Sequence, residues 1–177
     1  MGELNDDGQL TKAYGFSSIA GEQGFWSTDP IWQADLNPVK TQPSTLSNNE
    51  YVDYHFFHTD HIRVPFLATN KKGQITWAAL ADSFGNFKNS IDNTTIVNLR
   101  YPGQYFDEES NTHSNFKRDY APSIGRYNQS DPIQLQAGIN FYGYANANPL
   151  SFFDDLGLKT IVRGPKVVFH KPGTSED

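Results

Sequence analysis

The sequence predicts an all-β protein built from short antiparallel hairpins, and three observations support this fold class. Aromatic residues are plentiful, with 13 Phe, 9 Tyr and 3 Trp, and aromatic side chains are enriched in strands. The 14 Gly and 10 Pro are spread over all 177 residues, which favours many short strands joined by turns. No long stretch repeats apolar residues at helical spacing, so only a few short helical turns are expected.

Residues 1–49 are predicted to form a turn-rich segment that ends in a polar loop. Glycines interrupt its first half, and the stretch 41–49 is rich in Ser and Asn, a composition that favours exposed loops. We divide the rest of the chain into a core over residues 50–158 and a short variable tail over residues 159–177.

From residue 50 onward the pattern tightens into predicted hairpins. The turn signal Asn70–Gly73 separates two strands, and the acidic turn 107–111 separates two more. The predicted strands are 50–57, 64–69, 74–80, 96–101, 104–106 and 114–120. Similar groups of an aromatic residue, an acid and a glycine recur about every 20 residues, which indicates stacked hairpins that share one core.

Charge and composition exclude several classes of function. The formal charge is −6, and no basic run could neutralise several phosphates, so we expect no nucleic-acid partner. The chain has no Cys, which excludes disulfides and Cys-based zinc sites. We expect no signal peptide, because residues 1–9 are polar, and no membrane span, because no run of 18 apolar residues occurs.

Many short motifs in register resemble one known family. They include Tyr54–His61, Trp77, Phe84–Gly85, Asn98–Asp107, Arg118–Pro122, Gly125–Tyr127, Ser130–Ile133, Gly138–Tyr144, Asn148–Pro149 and Phe153–Leu158. In this order and spacing they resemble the repeat-associated core of the Rhs/YD-repeat polymorphic toxins, which is shared with the C component of Tc toxins. The resemblance covers residues 50–158. It implies the closing end of a β-sheet shell that encloses a toxin, a β-cocoon cap made of stacked hairpins.

The resemblance also implies an aspartyl autoprotease that cuts its own chain. The family motif falls on Arg118 with Asp119, and on Asp131 twelve residues later. Cleavage is expected between Leu158 and Lys159. The family segment before the cut is usually Asp-Pro-x-Gly-Leu, and here it begins at Asp154 and contains Gly157.

The segment departs from the family pattern at one position, where Asp155 stands in place of proline. Proline presets φ in a turn, whereas Asp must hold the turn through side-chain hydrogen bonds. The rate of cleavage is therefore open at this stage.

An aspartyl protease needs two carboxylates that share one proton, one acting on a water and the other on the scissile bond. Asp119 and Asp131 are the candidates, with the acid and base roles unassigned. Arg118 would keep one carboxylate ionised or orient the scissile strand. In the alternative interpretation Asp119 is a solvated strand-end residue paired with Arg118. The chain is then a non-catalytic plug of the shell, a truncated or orphan core.

Other candidate sites receive a structural interpretation. His55, His58 and His61 resemble a metal cluster on paper, but residues three apart on a strand point to opposite faces. We therefore expect hydrogen-bonded histidines, no metal and no cofactor. The aromatic ladder 141–144 could stack a sugar, as in a carbohydrate-binding module, although such ladders are more often core. Arg100 and Arg126 are expected to neutralise acidic groups on the surface.

The resemblance also implies partners and a location. An upstream YD-repeat shell or a second copy of the chain would cover exposed sheet edges, and a secretion apparatus or an immunity protein is a further candidate. We expect the protein in the bacterial cytoplasm before export. A specialised system, such as type VI secretion in bacterial competition, would then deliver it into target cells. The 19 residues after Leu158 are too few for an independent enzyme.

Overall fold

A computed structural model describes residues 1–17, 28–36, 52–134 and 139–162 of the chain. Its largest element is a seven-stranded antiparallel sheet in which each strand pairs with the next one along the chain. The strands are β1 (Gly2–Leu4), β2 (Leu10–Phe16), β3 (Pro30–Leu36), β4 (Val52–Thr59), β5 (Pro65–Thr69), β6 (Ile75–Ala81) and β7 (Phe87–Asn89). The described residues thus confirm the all-β fold class.

A second, four-stranded antiparallel sheet follows and carries the candidate site. Its order is β11-β10-β9-β8, formed by β8 (Tyr105–Asp107), β9 (Thr112–Asn115), β10 (Arg118–Ala121) and β11 (Arg126–Tyr127). A short 3₁₀ turn over Ala145–Ala147 leads to a two-stranded ribbon of β12 (Phe152–Phe153) and β13 (Ile161–Val162). The described part of the chain contains no helix whose length and hydropathy would let it cross a bilayer.

The hairpins after residue 50 follow the sequence pattern closely. The turn between β5 and β6 lies at Asn70–Gly73, where the Gly73 amide donates to the Asn70 carbonyl at 2.9 Å. Side-chain hydrogen bonds hold the same turn, because Asn70 Oδ1 accepts from the amides of Lys72 and Gln74. The Asx-type bonds explain why this turn could be predicted from the sequence alone.

The structure adds strands near the N-terminus and corrects two of the predicted strands. The segment 1–49, predicted to be turn-rich, contributes three strands to the large sheet. Residues 96–101 form no strand beyond the single bridge from Leu99 to Tyr105. The predicted strand 114–120 is divided between β9 and β10, because Phe116 adopts a left-handed φ of 53° and turns the chain back on itself.

Two clusters of buried side chains form the core, and Phe87 packs against both. The cluster under the large sheet comprises Tyr14, Ala68, Trp77, Ala79, Val97 and Leu99. The cluster beside the four-stranded sheet comprises Ile62, Val64, Tyr101, Tyr120, Tyr127, Tyr144 and Ala145. Contacts among its four tyrosine rings have centroid distances between 4.5 and 6.0 Å, so the rings pack directly against one another.

Candidate active site around Arg118

Arg118 lies at the start of β10 with its guanidinium buried in the protein. Nε donates to the carbonyl of Gly157 at 2.5 Å, and Nη1 donates to the carbonyl of Phe141 at 3.1 Å. The guanidinium carbon sits 3.7 Å from the centroid of the Tyr127 ring, a cation–π contact that fixes its plane. Arg118 therefore joins β10 to two segments that are distant in sequence.

Two buried carboxylates converge on the same guanidinium nitrogen. Nη2 of Arg118 lies 2.8 Å from Oδ2 of Asp131 and 3.3 Å from Oδ2 of Asp154. Both aspartates are almost completely inaccessible to solvent. One buried guanidinium group thus faces two buried carboxyl groups. A buried ion network of this kind is costly to assemble, so it is weak evidence for a purely stabilising role.

Asp119 occupies a different position from the other predicted site residues. It follows Arg118 on β10, and successive side chains of a strand point to opposite faces. Its Oδ2 accepts a hydrogen bond from Nε2 of Gln129 at 2.6 Å, while its amide donates to Oε1 of the same glutamine at 2.7 Å. The structure therefore joins Arg118 and Asp131 with Asp154 and pairs Asp119 with Gln129.

Asp154 organises the segment in which cleavage is predicted. Its Oδ1 accepts hydrogen bonds from the amides of Leu156 at 3.3 Å, Leu158 at 2.9 Å and Lys159 at 3.2 Å. The last of these amides belongs to the predicted scissile bond. One oxygen of Asp154 therefore faces Arg118, and the other faces the bond between Leu158 and Lys159.

A cavity of about 440 Å³ opens beside this arrangement. Arg118, Asp131 and Asp154 line it, together with Leu158 and Thr160 from either side of the predicted cut. Carboxylates, a cation and the predicted bond therefore share one space with room for water.

Tyr127 completes the contacts of Asp154 and was missed by the sequence analysis. Its hydroxyl donates to Oδ2 of Asp154 at 3.0 Å. Burial, and next the charge of Asp154, raise the pKa of Tyr127 well above its usual value, so the hydroxyl stays protonated and remains a donor. The motif Gly125–Tyr127 belonged to the family resemblance, but nothing in its spacing indicated a contact with residue 154.

The three histidines of the sequence analysis bind three separate partners. His55 contacts Thr76 Oγ1 through Nδ1 at 2.8 Å, His58 contacts Thr69 Oγ1 at 3.1 Å, and His61 contacts the Leu150 carbonyl at 2.9 Å. His55 is buried and His58 is exposed, as expected for residues three apart on β4. Within residues 1–17, 28–36, 52–134 and 139–162, no three ligating side chains are grouped around a possible metal position.

His55 belongs instead to a polar network on the inner face of the large sheet. Its Nε2 lies 3.3 Å from Oδ2 of Asp35, which also accepts from Thr95, while Oδ1 of Asp35 accepts from Gln33. Burial by itself would raise the pKa of Asp35, but the hydrogen bonds from His55, Thr95 and Gln33 outweigh it and lower the pKa to about 2. The carboxylate is therefore ionised at neutral pH, and the ammonium group of Lys12 lies 3.7 Å from its Oδ1.

The aromatic ladder is divided between core and surface. Tyr144 is 1% exposed and packs in the tyrosine cluster, whereas Tyr142 is 46% exposed. Only one of these two rings could therefore stack on a sugar, which leaves the carbohydrate interpretation with little support.

Comparisons with known proteins complement this geometry. No family model matches the chain. It is 37% identical over 103 residues to the toxin protein Tse5 of Pseudomonas aeruginosa. The matched residues are 58% of this chain and 8% of Tse5. It is 36% identical over 135 residues to the double-stranded DNA deaminase toxin A of Burkholderia cenocepacia, covering 73% of this chain and 9% of that toxin. The chain is related to the core of Rhs toxins.

A third relative adds to the comparison, and two solved structures of Tc toxins show the same fold. YibJ of Escherichia coli is 39% identical over 108 residues, which are 60% of this chain and 46% of YibJ. The crystal structure of TcdB2-TccC3-TEV shares the fold with a TM-score of 0.57 at 19% identity, over 89% of this chain and 10% of that one. The Tc holotoxin pore of Photorhabdus luminescens has a TM-score of 0.58 at 17% identity, over 92% and 10%.

The chain spans less than half the length of each of these relatives. It corresponds to a β-rich, C-terminal region of the Rhs/Tc toxin type.

Proposed function

We propose that this chain is the C-terminal core of an Rhs-type toxin shell and that it cleaves itself between Leu158 and Lys159. The observation that carries the proposal is the position of Asp154, whose carboxylate contacts both Arg118 and the amide of Lys159. The buried carboxylate of Asp131 lies on the same guanidinium nitrogen. A pair of carboxylates beside one peptide bond is the equipment that an aspartyl protease requires.

The reaction consumes one water and needs one of the two carboxyl groups protonated. Asp131 takes a proton from the water as its oxygen attacks the carbonyl carbon of Leu158. Asp154 starts as the protonated carboxyl group of the pair, and it gives its own proton to the nitrogen of Lys159, 3.2 Å from its Oδ1, as the carbon–nitrogen bond breaks. The products are a carboxylate on Leu158 and an α-amine on Lys159.

Arg118 contributes charge and position in this scheme. It contacts both carboxylates, and its bond to the Gly157 carbonyl holds the residue before Leu158. A fixed distance between the segment and the carboxylates lowers the entropic part of the barrier. Asp119 remains a second candidate for the acid, because the family resemblance indicates it.

Intact mass spectrometry of the freshly purified chain tests the proposal. The wild type should yield two fragments, one that ends at Leu158 and one that begins at Lys159. Asp131→Asn loses the base, so its cleavage rate should fall at least about 100-fold and the chain should stay intact. Asp107→Asn is a matched control, since Asp107 is an acid in an exposed turn, and it should cleave like wild type. A wild-type chain that stays intact for days at several pH values would falsify the autoprotease.

Asp119→Asn and Asp154→Asn identify the second carboxylate. Loss of cleavage in Asp154→Asn with normal cleavage in Asp119→Asn supports the pair Asp131 and Asp154. The opposite pattern assigns the acid role to Asp119, as the resemblance implies.

A structural plug is the second candidate, and the open edge of the large sheet favours it. Among the strands that the structure describes, β1 pairs with β2 alone, so an upstream YD-repeat hairpin could extend the sheet at its other edge. In this alternative the shell is delivered into target cells as a whole, as the toxin relatives suggest for proteins of their kind. Binding of the Asp131→Asn chain to an upstream repeat shell, measured by size-exclusion chromatography, would support this function whatever the outcome for cleavage.

A further inference from the structure

Asn115 is a buried amide that contacts the cleavage segment, which we define as residues 154–159. It is the last residue of β9, and no part of its surface reaches solvent. Nδ2 donates to the main-chain carbonyl of Asp154 at 2.8 Å. Asn115 therefore fixes the backbone at the residue from which the segment turns.

The same nitrogen reaches Asp154 by a second route. Nδ2 of Asn115 also donates to the hydroxyl of Tyr127 at 2.7 Å, and this hydroxyl donates to Oδ2 of Asp154 at 3.0 Å. Asp154 is thus held at its main chain directly and at its side chain through Tyr127. Hydrogen bonds in such a chain polarise one another, so each strengthens the next.

Close packing of the backbone reinforces these bonds. A Cβ at Gly157 would lie 2.5 Å from the main-chain oxygen of Asn115, so the segment passes directly over the end of β9. The backbone of Gly157 has a φ of +67°, a region that glycine enters without strain. Asn115 therefore contacts the segment at both ends of the Asp154–Gly157 turn.

Stability by itself gives little reason for an amide at this position. Oδ1 of Asn115 is buried and has no hydrogen-bond partner in the described part of the chain. A buried acceptor without a partner is destabilising, and an apolar side chain of equal size would avoid that cost. The two bonds from Nδ2 are what an apolar side chain could not supply.

We propose that Asn115 is a positioning residue for self-cleavage. It acts through Asp154 and Tyr127 to hold the bond between Leu158 and Lys159 against the carboxylates. The inference rests on the proposed function, and it concerns a residue whose side chain donates to Tyr127 and to the main chain of Asp154 rather than to the scissile bond.

The test compares Asn115→Leu with wild type in two measurements. Leucine keeps the volume and removes both donor bonds together with the unpartnered acceptor, so the fold should persist. The cleavage rate, followed by intact mass during cell-free synthesis, should fall roughly 10- to 100-fold, because small errors in position cost large factors in rate. Tyr127→Phe removes the second route alone and should lower the rate less.

Amide hydrogen exchange reads the position of the segment without relying on catalysis. In the Asp131→Asn background, Asn115→Leu should speed hydrogen exchange at the amides of Leu158 and Lys159. Both amides donate hydrogen bonds to Oδ1 of Asp154 in the native structure. Exchange in β5 and β6 should be unchanged. A general loss of stability would instead speed exchange in all elements.

Thr76→Val is the matched control. Thr76 is buried in the other sheet and bonded to His55 and to the Ala68 carbonyl, so valine removes buried hydrogen bonds far from the segment. It should leave the cleavage rate within twofold of wild type.

Slower cleavage together with faster local exchange supports the inference. A cleavage rate near that of wild type, or unchanged exchange in the segment, overturns it. An intact wild-type chain overturns the proposed function, and in that event the exchange result alone decides whether Asn115 holds the segment.

Discussion

Two arginines are buried among the residues that the structure describes, and their surroundings differ in whether carboxyl groups contact the guanidinium. Arg100 packs its guanidinium between the rings of Phe87 and Phe106, with centroids 4.7 and 4.6 Å away, and donates to two main-chain carbonyls. In residues 52–134 and the other described segments, no carboxylate lies within ion-pair distance of it. Arg118 also stacks on a ring, but two carboxylates share its outer nitrogen.

The difference in partners gives the two arginines different roles. Burial lowers the pKa of Arg100 to about 10, and aromatic faces with carbonyl oxygens are enough to keep it charged at neutral pH. It joins β7 to β8 and therefore the two sheets, which corrects the expectation that it neutralises surface acids. Arg118 instead brings the carboxyl groups of Asp131 and Asp154 together beside a main-chain segment. Chemistry is thus expected at this arginine.

The largest predicted effect comes from replacing each arginine with an uncharged residue. Arg118→Met should lower the free energy of unfolding by about 3–5 kcal/mol, because it leaves two buried carboxylates without a counter-charge. Arg100→Met should cost only about 1–2 kcal/mol, from lost cation–π contacts and two unpaired carbonyls. Urea unfolding followed by Trp fluorescence measures both values, and equal losses would show that the carboxylates do not distinguish the sites.

The second prediction concerns His113, which lies in β9 and contacts Gln104. Burial, and next the charge of Arg100, lower the pKa of His113 to about 3. Because the folded state disfavours the protonated ring, stability is complete above the unfolded pKa of about 6.5 and falls as pH drops toward 3. The loss over this window should be roughly 3–4 kcal/mol.

His113→Gln should remove that dependence, and urea unfolding between pH 7 and pH 3 measures it. Asp35 supplies a built-in comparison, because its lowered pKa places its own loss of stability between about pH 4 and pH 2. A variant at residue 113 that kept the full slope between pH 6.5 and 4 would contradict the assignment.

The third and smallest effect compares two glycines with left-handed backbones. Gly103 has a φ of +87°, and a Cβ there would lie 2.4 Å from the carbonyl oxygen of Asp155 in the cleavage segment. Gly73 has a φ of +78° with no atom within 4 Å of such a Cβ. Gly73→Ala should therefore cost about 1 kcal/mol from backbone strain alone.

Gly103→Ala should cost about 2 kcal/mol, since the clash adds to the strain, and it should also slow cleavage by displacing residue 155. Thermal unfolding and intact mass check the two effects. If both alanine variants cleaved at the same rate, the contact with Asp155 would have no part in placing the segment.

The sequence predicted best those features that depend on residues close together in the chain. The turn at Asn70–Gly73 follows from Asx hydrogen bonds within five residues, and the alternation of His55 and His58 follows from the period of a strand. The prediction failed at residues 96–101, where Val97, Leu99 and Tyr101 are buried together with Arg100 and the pairing is limited to one bridge, from Leu99 to Tyr105. A run of apolar residues indicates which side chains turn inward, but it cannot show whether a neighbouring strand is present.

By itself, the sequence determined the all-β class and the relationship to the core of Rhs toxins, and it predicted the segment that ends in Gly157 and Leu158. Turn chemistry and strand periodicity act over a few residues, so they can be read from the chain directly. Only the tertiary structure decided that Asp154 meets Arg118 while Asp119 pairs with Gln129. That choice depends on a contact between residues 36 positions apart and on a turn at Phe116 that sets which face of β10 looks inward.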